Sequence, residues 1–272
     1  MKPLLTTLFS VLLGYGLVVA GIYMFQEKLL FHPQVAADYE PVKFPKNIEK
    51  FYITTPSGLK LQGVRSKVTP ADSPILLSFG GNAHNLTNFT SYMAALMPKV
   101  ETMAINYRGF GESEGKPQAA EILADADFIY KWVTETYPSR DLYVMGVSLG
   151  TGPATKLSQY DKVKGVMLAM PYDDMTDLAA SKYPWIPVSL LFRNPIPSIE
   201  WARNAKAPVA IVVAGDDQLI PNERSERMRD AFPQVVDYHT LSGVGHVALL
   251  DDPRLDTWIP EALEKLKATH QK

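Results

Sequence analysis

Five short apolar runs, at residues 75–79, 102–107, 142–145, 163–170 and 208–213, are separated by segments of helical period. Runs of that length with no alternating polar positions are strands buried on both faces. Strands that alternate with helices are joined by crossovers, so they lie parallel in one sheet with helices on both sides. The intervening stretch "EILADADFIYKWVTETY" has the helical pattern. Ile122, Ala126, Ile129, Trp132 and Val133 fall on one stripe, while Glu121, Asp125, Lys131 and Glu135 lie elsewhere. Ahead of these units, "KFYITTPSGLKLQGVRSKV" predicts two short strands joined at Pro56-Ser57-Gly58. After them, "VVDYHTL" predicts a last strand. The expected fold is α/β, a mainly parallel central sheet with helices on both faces, in one domain over residues 31–272.

Residues 3–25, "PLLTTLFSVLLGYGLVVAGIYMF", carry no charge. At roughly 1.5 Å per helical residue the run crosses a hydrocarbon core about 30 Å thick. It is expected to form one N-terminal transmembrane helix within an anchor at residues 1–30. Lys2 and Val18-Val19-Ala20 also fit a signal peptide cleaved after small residues, which would leave a secreted protein. The apolar run continues past Ala20, and Tyr23 and Phe25 suit an interface belt, which favours an uncleaved anchor. Lys2 places the amino terminus in the cytoplasm and the bulk of the chain on the non-cytoplasmic side, periplasmic or extracellular, against the opposing vote of Lys28. A polar, Pro-containing connector is expected near residues 32–48.

The net charge is −2 and the basic residues are scattered, so the footprint that holds phosphate backbones is missing and nucleic acid is not an expected partner. The absence of cysteine removes disulfides, thiolate zinc sites and thiol nucleophiles. Five histidines show no metal-ligand spacing, and neither a metal nor a cofactor is expected. Oligomeric state is not legible.

Residues 171–206 break the alternation with several prolines and the apolar cluster Trp185, Ile186, Val188, Leu190, Leu191 and Phe192. Such a segment is too long for a connection and too apolar for a solvated loop. It is expected to cap the C-terminal edge of the sheet, with Trp185, Ile186, Val188 and Leu191 binding substrate. Extra core around an irregular helix is the alternative.

"YVMGVSLGTG" sets Ser148 between Gly146 and Gly150, after a strand and before a helix. Ligand chemistry in a parallel sheet collects at the C-terminal strand ends. A sharp strand-to-helix turn needs glycines two before and two after the serine, since side chains there would collide with the turn. Such a turn presents the hydroxyl and aims the first helix amides at an anion. A serine also needs a base and a carboxylate to orient that base. "AIVVAGDDQLIP" ends a strand at Asp216 and Asp217, and "LSGVGHVAL" places His246 in a glycine-flanked loop. His239, the rival base, lies within a strand, where a structural partner is expected. "LLSFGGNAHN" supplies Gly80-Gly81, and the amide of Leu149 with that of Asn82 or Ala83 is expected to form an oxyanion hole. His84 is read as a solvated loop histidine.

With these residues together, the chain resembles the α/β-hydrolase superfamily. Within it, the resemblance is to the membrane-anchored bud-emergence-type branch, which includes mammalian α/β-hydrolase domain proteins acting on acyl esters and thioesters. The resemblance covers nearly the whole chain: "FQEKLLFHP", "GGNAHN", "NYRGFGESEGKP", "GVSLGTGPA", "MPYDDMTDLAASKYPWIPV", "GDDQLIP" and "GVGHVAL". The order Ser, Asp, His is that of α/β hydrolases. Two positions depart from the branch: Gly80 stands where its oxyanion loop begins His-Gly, and Ala214 where its acid motif has glycine. Counting back from Pro221 aligns Asp217 with the branch's acid, with Asp216 the alternative. Arg108 is expected to bond loop carbonyls.

The resemblance implies a serine hydrolase acting on carboxylic esters or thioesters of hydrophobic, lipid-like acyl substrates through Ser148, His246 and Asp217. A serine aminopeptidase, holding a free amine with Asp173, Asp174 or Asp177, is the alternative. A non-catalytic scaffold at the membrane is the second.

Overall fold

The computed structural model describes residues 2–33 and 47–270. Most of the expected connector near residues 32–48 lies outside the described residues. The chain begins with helix α1, Lys2–Leu30, long and apolar enough to cross a membrane, with its most apolar window unburied by the rest of the protein. Its end is tied down, because Phe31 is buried in the main core.

An eight-stranded sheet follows: β1 Ile48–Thr54, β2 Lys60–Ser66, β3 Ile75–Phe79, β4 Glu101–Ile105, β5 Leu142–Val147, β6 Val163–Ala169, β7 Val209–Ala214 and β8 Val235–Leu241. Their spatial order is β1-β2-β4-β3-β5-β6-β7-β8. β1 and β2 form the expected antiparallel hairpin, whose turn uses Gly58 at φ 84°. β2 also runs antiparallel to β4, and every pairing from β4 onward is parallel.

The helices after α1 are α2 Leu86–Leu96, α3 Ala119–Thr136, α4 Thr151–Leu157, α5 Met175–Lys182, α6 Val188–Leu191, α7 Ser198–Arg203, α8 Asn222–Ala231 and α9 Pro253–Ala268. Side chains of a strand alternate between faces, and the apolar runs therefore feed two cores. Leu77, Val144 and Ile211 join Ile122, Ile129, Leu157 and Met228 on one face. Leu76, Met145 and Val212 join Met93, Trp258 and Ile259 on the other. Strands this apolar need a helical layer on each side, and both layers are present.

Helix α3 corrects one expectation. Asp125 is buried rather than off the stripe, while Trp132 is only half-buried. The cause is Arg108, whose Nε and Nη2 donate to the Asp125 carboxylate at 2.6 and 2.8 Å and which also pairs with Glu121. Arg108 thus clamps its loop to α3 through carboxylates instead of loop carbonyls.

Residues 171–206 combine both readings made of them. Met175, Leu178, Ile196 and Ala202 belong to the main core. The middle of the segment stands proud, with Tyr183, Trp185 and Leu190 exposed.

Candidate functional site

Ser148 opens a 3-10 turn, Ser148–Gly150, between β5 and α4. Its φ is 50°, in the left-handed region, where a residue other than glycine is strained by about 1–3 kcal/mol. The neighbouring glycines explain how the turn closes. A methyl group at Gly146 would sit 2.5 Å from the Gly150 carbonyl oxygen and 2.7 Å from Ala154 Cβ. One at Gly150 would sit 2.7 Å from the Gly80 carbonyl oxygen and overlap that of Phe79. The elbow therefore presses directly on the end of β3 and the loop after it. Thr151 Oγ1 donates to the Ser148 carbonyl at 2.6 Å and pins the turn.

Ser148 Oγ lies 2.9 Å from His246 Nε2, and His246 Nδ1 lies 2.7 Å from Asp217 Oδ2. The other Asp217 oxygen accepts the amides of Leu219 at 2.9 Å and Ile220 at 2.8 Å. A carboxylate held on one oxygen by two N–H groups can accept the Nδ1 proton with the other, which leaves Nε2 as an acceptor toward the hydroxyl. The arrangement can pass a proton from hydroxyl to imidazole and hold the cation that results. Asp216 is exposed, and His239 is an exposed residue of β8 rather than a structural partner. His246 and Asp217 come from the loops after β8 and β7, the C-terminal ends where the site was expected.

Leu149 is buried beside the elbow, and Asn82 and Ala83 are half-buried in the loop that follows β3. The Tyr107 hydroxyl donates to the Gly80 carbonyl at 2.7 Å from a buried position that pushes its pKa well up, so the phenol keeps its proton. His84 is not a solvated loop residue. Its Nδ1 accepts the Gly81 amide at 3.0 Å and its ring stacks on Phe89, 5.4 Å between centroids. Burial first, then the charge of His246, hold its pKa down at about 4. The loop-orienting side chain missing at Gly80 is thus supplied by His84, four residues later in the turn.

Asn82 does something no sequence signal announced. Its Oδ1 accepts the His32 amide at 3.0 Å and its Nδ2 donates to the Leu30 carbonyl at 2.6 Å. The candidate oxyanion loop is fastened by this one side chain to the end of α1.

A cavity of about 470 Å³ lies between α1 and residues 171–206, within the range of small-ligand sites. Ile186, Val188 and Leu191, read as substrate-binding, line it. Trp185 does not: it is half exposed, and its carbonyl accepts the Tyr15 hydroxyl at 2.8 Å. Ser148, His246 and Asp217 are not among the lining residues. The cavity adjoins their neighbourhood through Leu30, held by Asn82, and Leu219, held by Asp217. A second recess of about 500 Å³, lined by both polar and apolar side chains, runs past Ala83 and His84 to Tyr92, Asp251 and Asp256.

Of the three acids considered for an amine site, Asp173 and Asp174 are otherwise engaged, while Asp177 is exposed. Asp173 is buried between Arg224 Nη1 at 2.6 Å and Arg227 Nε at 2.7 Å. Burial opposes its charge, but the two guanidiniums outweigh it and hold the carboxyl below its ordinary range. Asp174 caps α5, accepting the amides of Thr176 at 2.6 Å and Asp177 at 3.1 Å. Among the described residues no three His, Asp or Glu side chains gather as metal ligands.

A family profile described as alpha/beta hydrolase fold matches residues 74–191. An uncharacterised protein of Mycobacterium tuberculosis is 29% identical over 253 residues, covering 88% of this chain and 87% of its own. The lysophosphatidylserine lipase ABHD12 of Danio rerio is 27% identical, over 59% of this chain and 48% of its own. Among solved structures, a bacterial membrane phospholipase A superposes with a TM-score of 0.64 at 15% identity, over 98% of this chain and 99% of that one. An elbow serine between strand and helix and a parallel sheet with an antiparallel start agree with these likenesses, and the chain has the α/β-hydrolase fold.

Proposed function

We propose that the protein is a serine hydrolase that cleaves carboxylic ester or thioester bonds of hydrophobic acyl substrates. The observation that carries the reading is the unbroken relay from Ser148 Oγ to His246 Nε2 and from His246 Nδ1 to Asp217. His246 takes the hydroxyl proton as Oγ attacks the carbonyl carbon, and the carbonyl oxygen becomes an anion facing the amides of Leu149 and of Asn82 or Ala83. The anion collapses, the bond to the alcohol or thiol breaks, and the imidazolium returns its proton to that leaving group. Water then repeats the sequence on the acyl-serine and releases the acid.

The apolar cavity and the lipase and phospholipase names of similar proteins support a lipid-like acyl group over a peptide. So does the engagement of Asp173 and Asp174, which leaves those carboxylates unavailable to a substrate amine. In this reading residues 1–30 anchor the chain in the membrane, and residues 31–272 form the hydrolase domain, with residues 171–206 over the site. The domain faces the non-cytoplasmic side, and a C-terminal part shielded on the cytoplasmic side in protease protection of sealed vesicles would reverse that orientation.

Replacing Ser148 by Ala tests the reading. Labelling by a short-chain fluorophosphonate and turnover of medium-chain acyl esters should both vanish. Labelling or full turnover in that variant overturns it, and parallel assays on aminoacyl amides distinguish a peptidase.

A further inference from the structure

We propose that α1 is part of the substrate site: its C-terminal half forms one wall of the acyl pocket at bilayer depth, and the acyl chain is drawn from a membrane lipid. The proposal rests on the serine-hydrolase reading for its chemistry and on separate observations for its geometry. Val19, Ile22 and Leu30 face Leu178, Ile186 and Leu191 across the cavity. Without the helix, that space would be an open groove on the cap.

A plain anchor needs only an apolar surface toward lipid, but this helix carries specific polar contacts to the body. Gln26 is buried, donates to the Leu191 carbonyl at 3.2 Å and accepts the Arg193 amide at 2.8 Å. Arg193 also reaches Glu27 at 2.8 Å and packs on the Tyr23 ring. Buried polar groups paired on both sides fix a geometry, since either half alone would be left unsatisfied. With Tyr15 bonded to Trp185 in the cap and Leu30 to Asn82 in the loop after β3, the body is registered against α1 over about four turns.

Depth follows from that register. Tyr15 lies ten positions before Phe25, the last apolar residue before Gln26 and Glu27, which is about 15 Å along the axis. A span crossing a core about 30 Å thick carries Trp185 halfway into it. Val19 and Ile22 enter to about 9 and 5 Å by the same measure. The outer surface of the cap suits that position, with Trp185 50% and Leu190 84% exposed. Aromatic and aliphatic side chains left in this way beside an apolar helix match lipid rather than water. The pocket then opens toward the leaflet, and two of its lining residues, Leu30 and Leu219, are bonded to Asn82 and Asp217.

The test uses the full chain in phosphatidylcholine vesicles and two fluorophosphonates, one with a short soluble alkyl group and one with a long alkyl group partitioned into the bilayer. Ile22→Trp and Leu178→Trp fill the pocket from its two walls. Met24→Trp, at an exposed position that does not line it, is the control. Long-probe labelling should slow about tenfold or more in both wall variants and stay at the wild-type rate in the control, while short-probe labelling is equal in all four proteins. Undiminished long-probe labelling in the wall variants overturns the proposal, as does loss of both probes in both of them, which would make the wall a folding element only. Failure of the short probe on the wild type instead counts against the serine nucleophile. Depth is read separately: bromine at the middle of the lipid chains should quench the fluorescence that Trp185→Phe removes, and absence of that quenching overturns the placement in the bilayer.

Discussion

Asp217 grips His246 Nδ1 at 2.7 Å with one carboxylate oxygen while its other oxygen takes two backbone amides, so the acid is held by the fold and not by the histidine. Asp217→Asn can keep the amide bonds through its carbonyl oxygen, but it then offers an N–H toward Nδ1 and favours the wrong tautomer. The variant should fold and lose about 10⁴-fold in kcat on acyl esters. Asp216→Asn, at the exposed neighbour, should leave kcat within about twofold, the size expected of a surface change. Steady-state kinetics on both variants check the pair, and a larger loss in Asp216→Asn would move the acid by one residue.

The elbow makes a prediction about stability instead of chemistry. A methyl at Gly150 meets the Phe79 and Gly80 carbonyls, which are backbone and cannot rotate away. Overpacking that soft side chains absorb costs about 1–3 kcal/mol, and Gly150→Ala should reach at least the upper end of that range. Denaturant unfolding measures it, with Gly243→Ala as comparison: that glycine has open space around it and only a φ of 76° to accommodate. Equal costs at the two sites would mean that the elbow does not press on β3.

What could be read without coordinates divides along a physical line. The strand at residues 75–79 and the glycines flanking Ser148 were legible because each reflects a local rule, either an apolar run without alternation or a turn with no room for a side chain. The choice of Asp217 over Asp216 needed a count from Pro221, since two adjacent carboxylates at a strand end look alike until the loop turns one inward. Asp125 and Arg108 were misplaced because a buried ion pair between residues 17 apart follows no periodicity. The side-chain bonds of His84, Asn82 and Gln26 were missed for a related reason: each joins backbone groups, which leave no trace in residue type. Trp185 was assigned to the pocket by its hydrophobicity, yet its ring is half exposed and its contact with α1 is made by a carbonyl.

The Arg108–Asp125 pair predicts a large asymmetry between breaking a charge pair and replacing it. Both side chains are nearly shielded, 12% and 5% exposed. Arg108→Ala strands a buried carboxylate and should cost about 3–5 kcal/mol, whereas Arg108→Met with Asp125→Leu removes both charges and should recover most of that loss. Chemical denaturation of the single and double variants decides it. A double variant no more stable than the single would mean that the clamp acts through Glu121.

His84 predicts a pH dependence with a definite sign. Its imidazole titrates near 4 in the folded protein because burial and the adjacent His246 disfavour the cation, against about 6.5 in the unfolded chain. Between those values the unfolded chain binds a proton that the folded one refuses, so stability is full above about pH 6.5 and falls as the pH drops toward 4. His84→Asn keeps an acceptor for the Gly81 amide without the titration. Taken from pH 7.5 to 5.0, the wild type should therefore lose about 2 kcal/mol more unfolding free energy than the variant. Urea titrations at the two pH values give both differences. Equal losses would mean that His84 takes up its proton in the folded state as readily as in the unfolded one, and the neutral acceptor that orients the Gly81 loop would then be lost in mild acid.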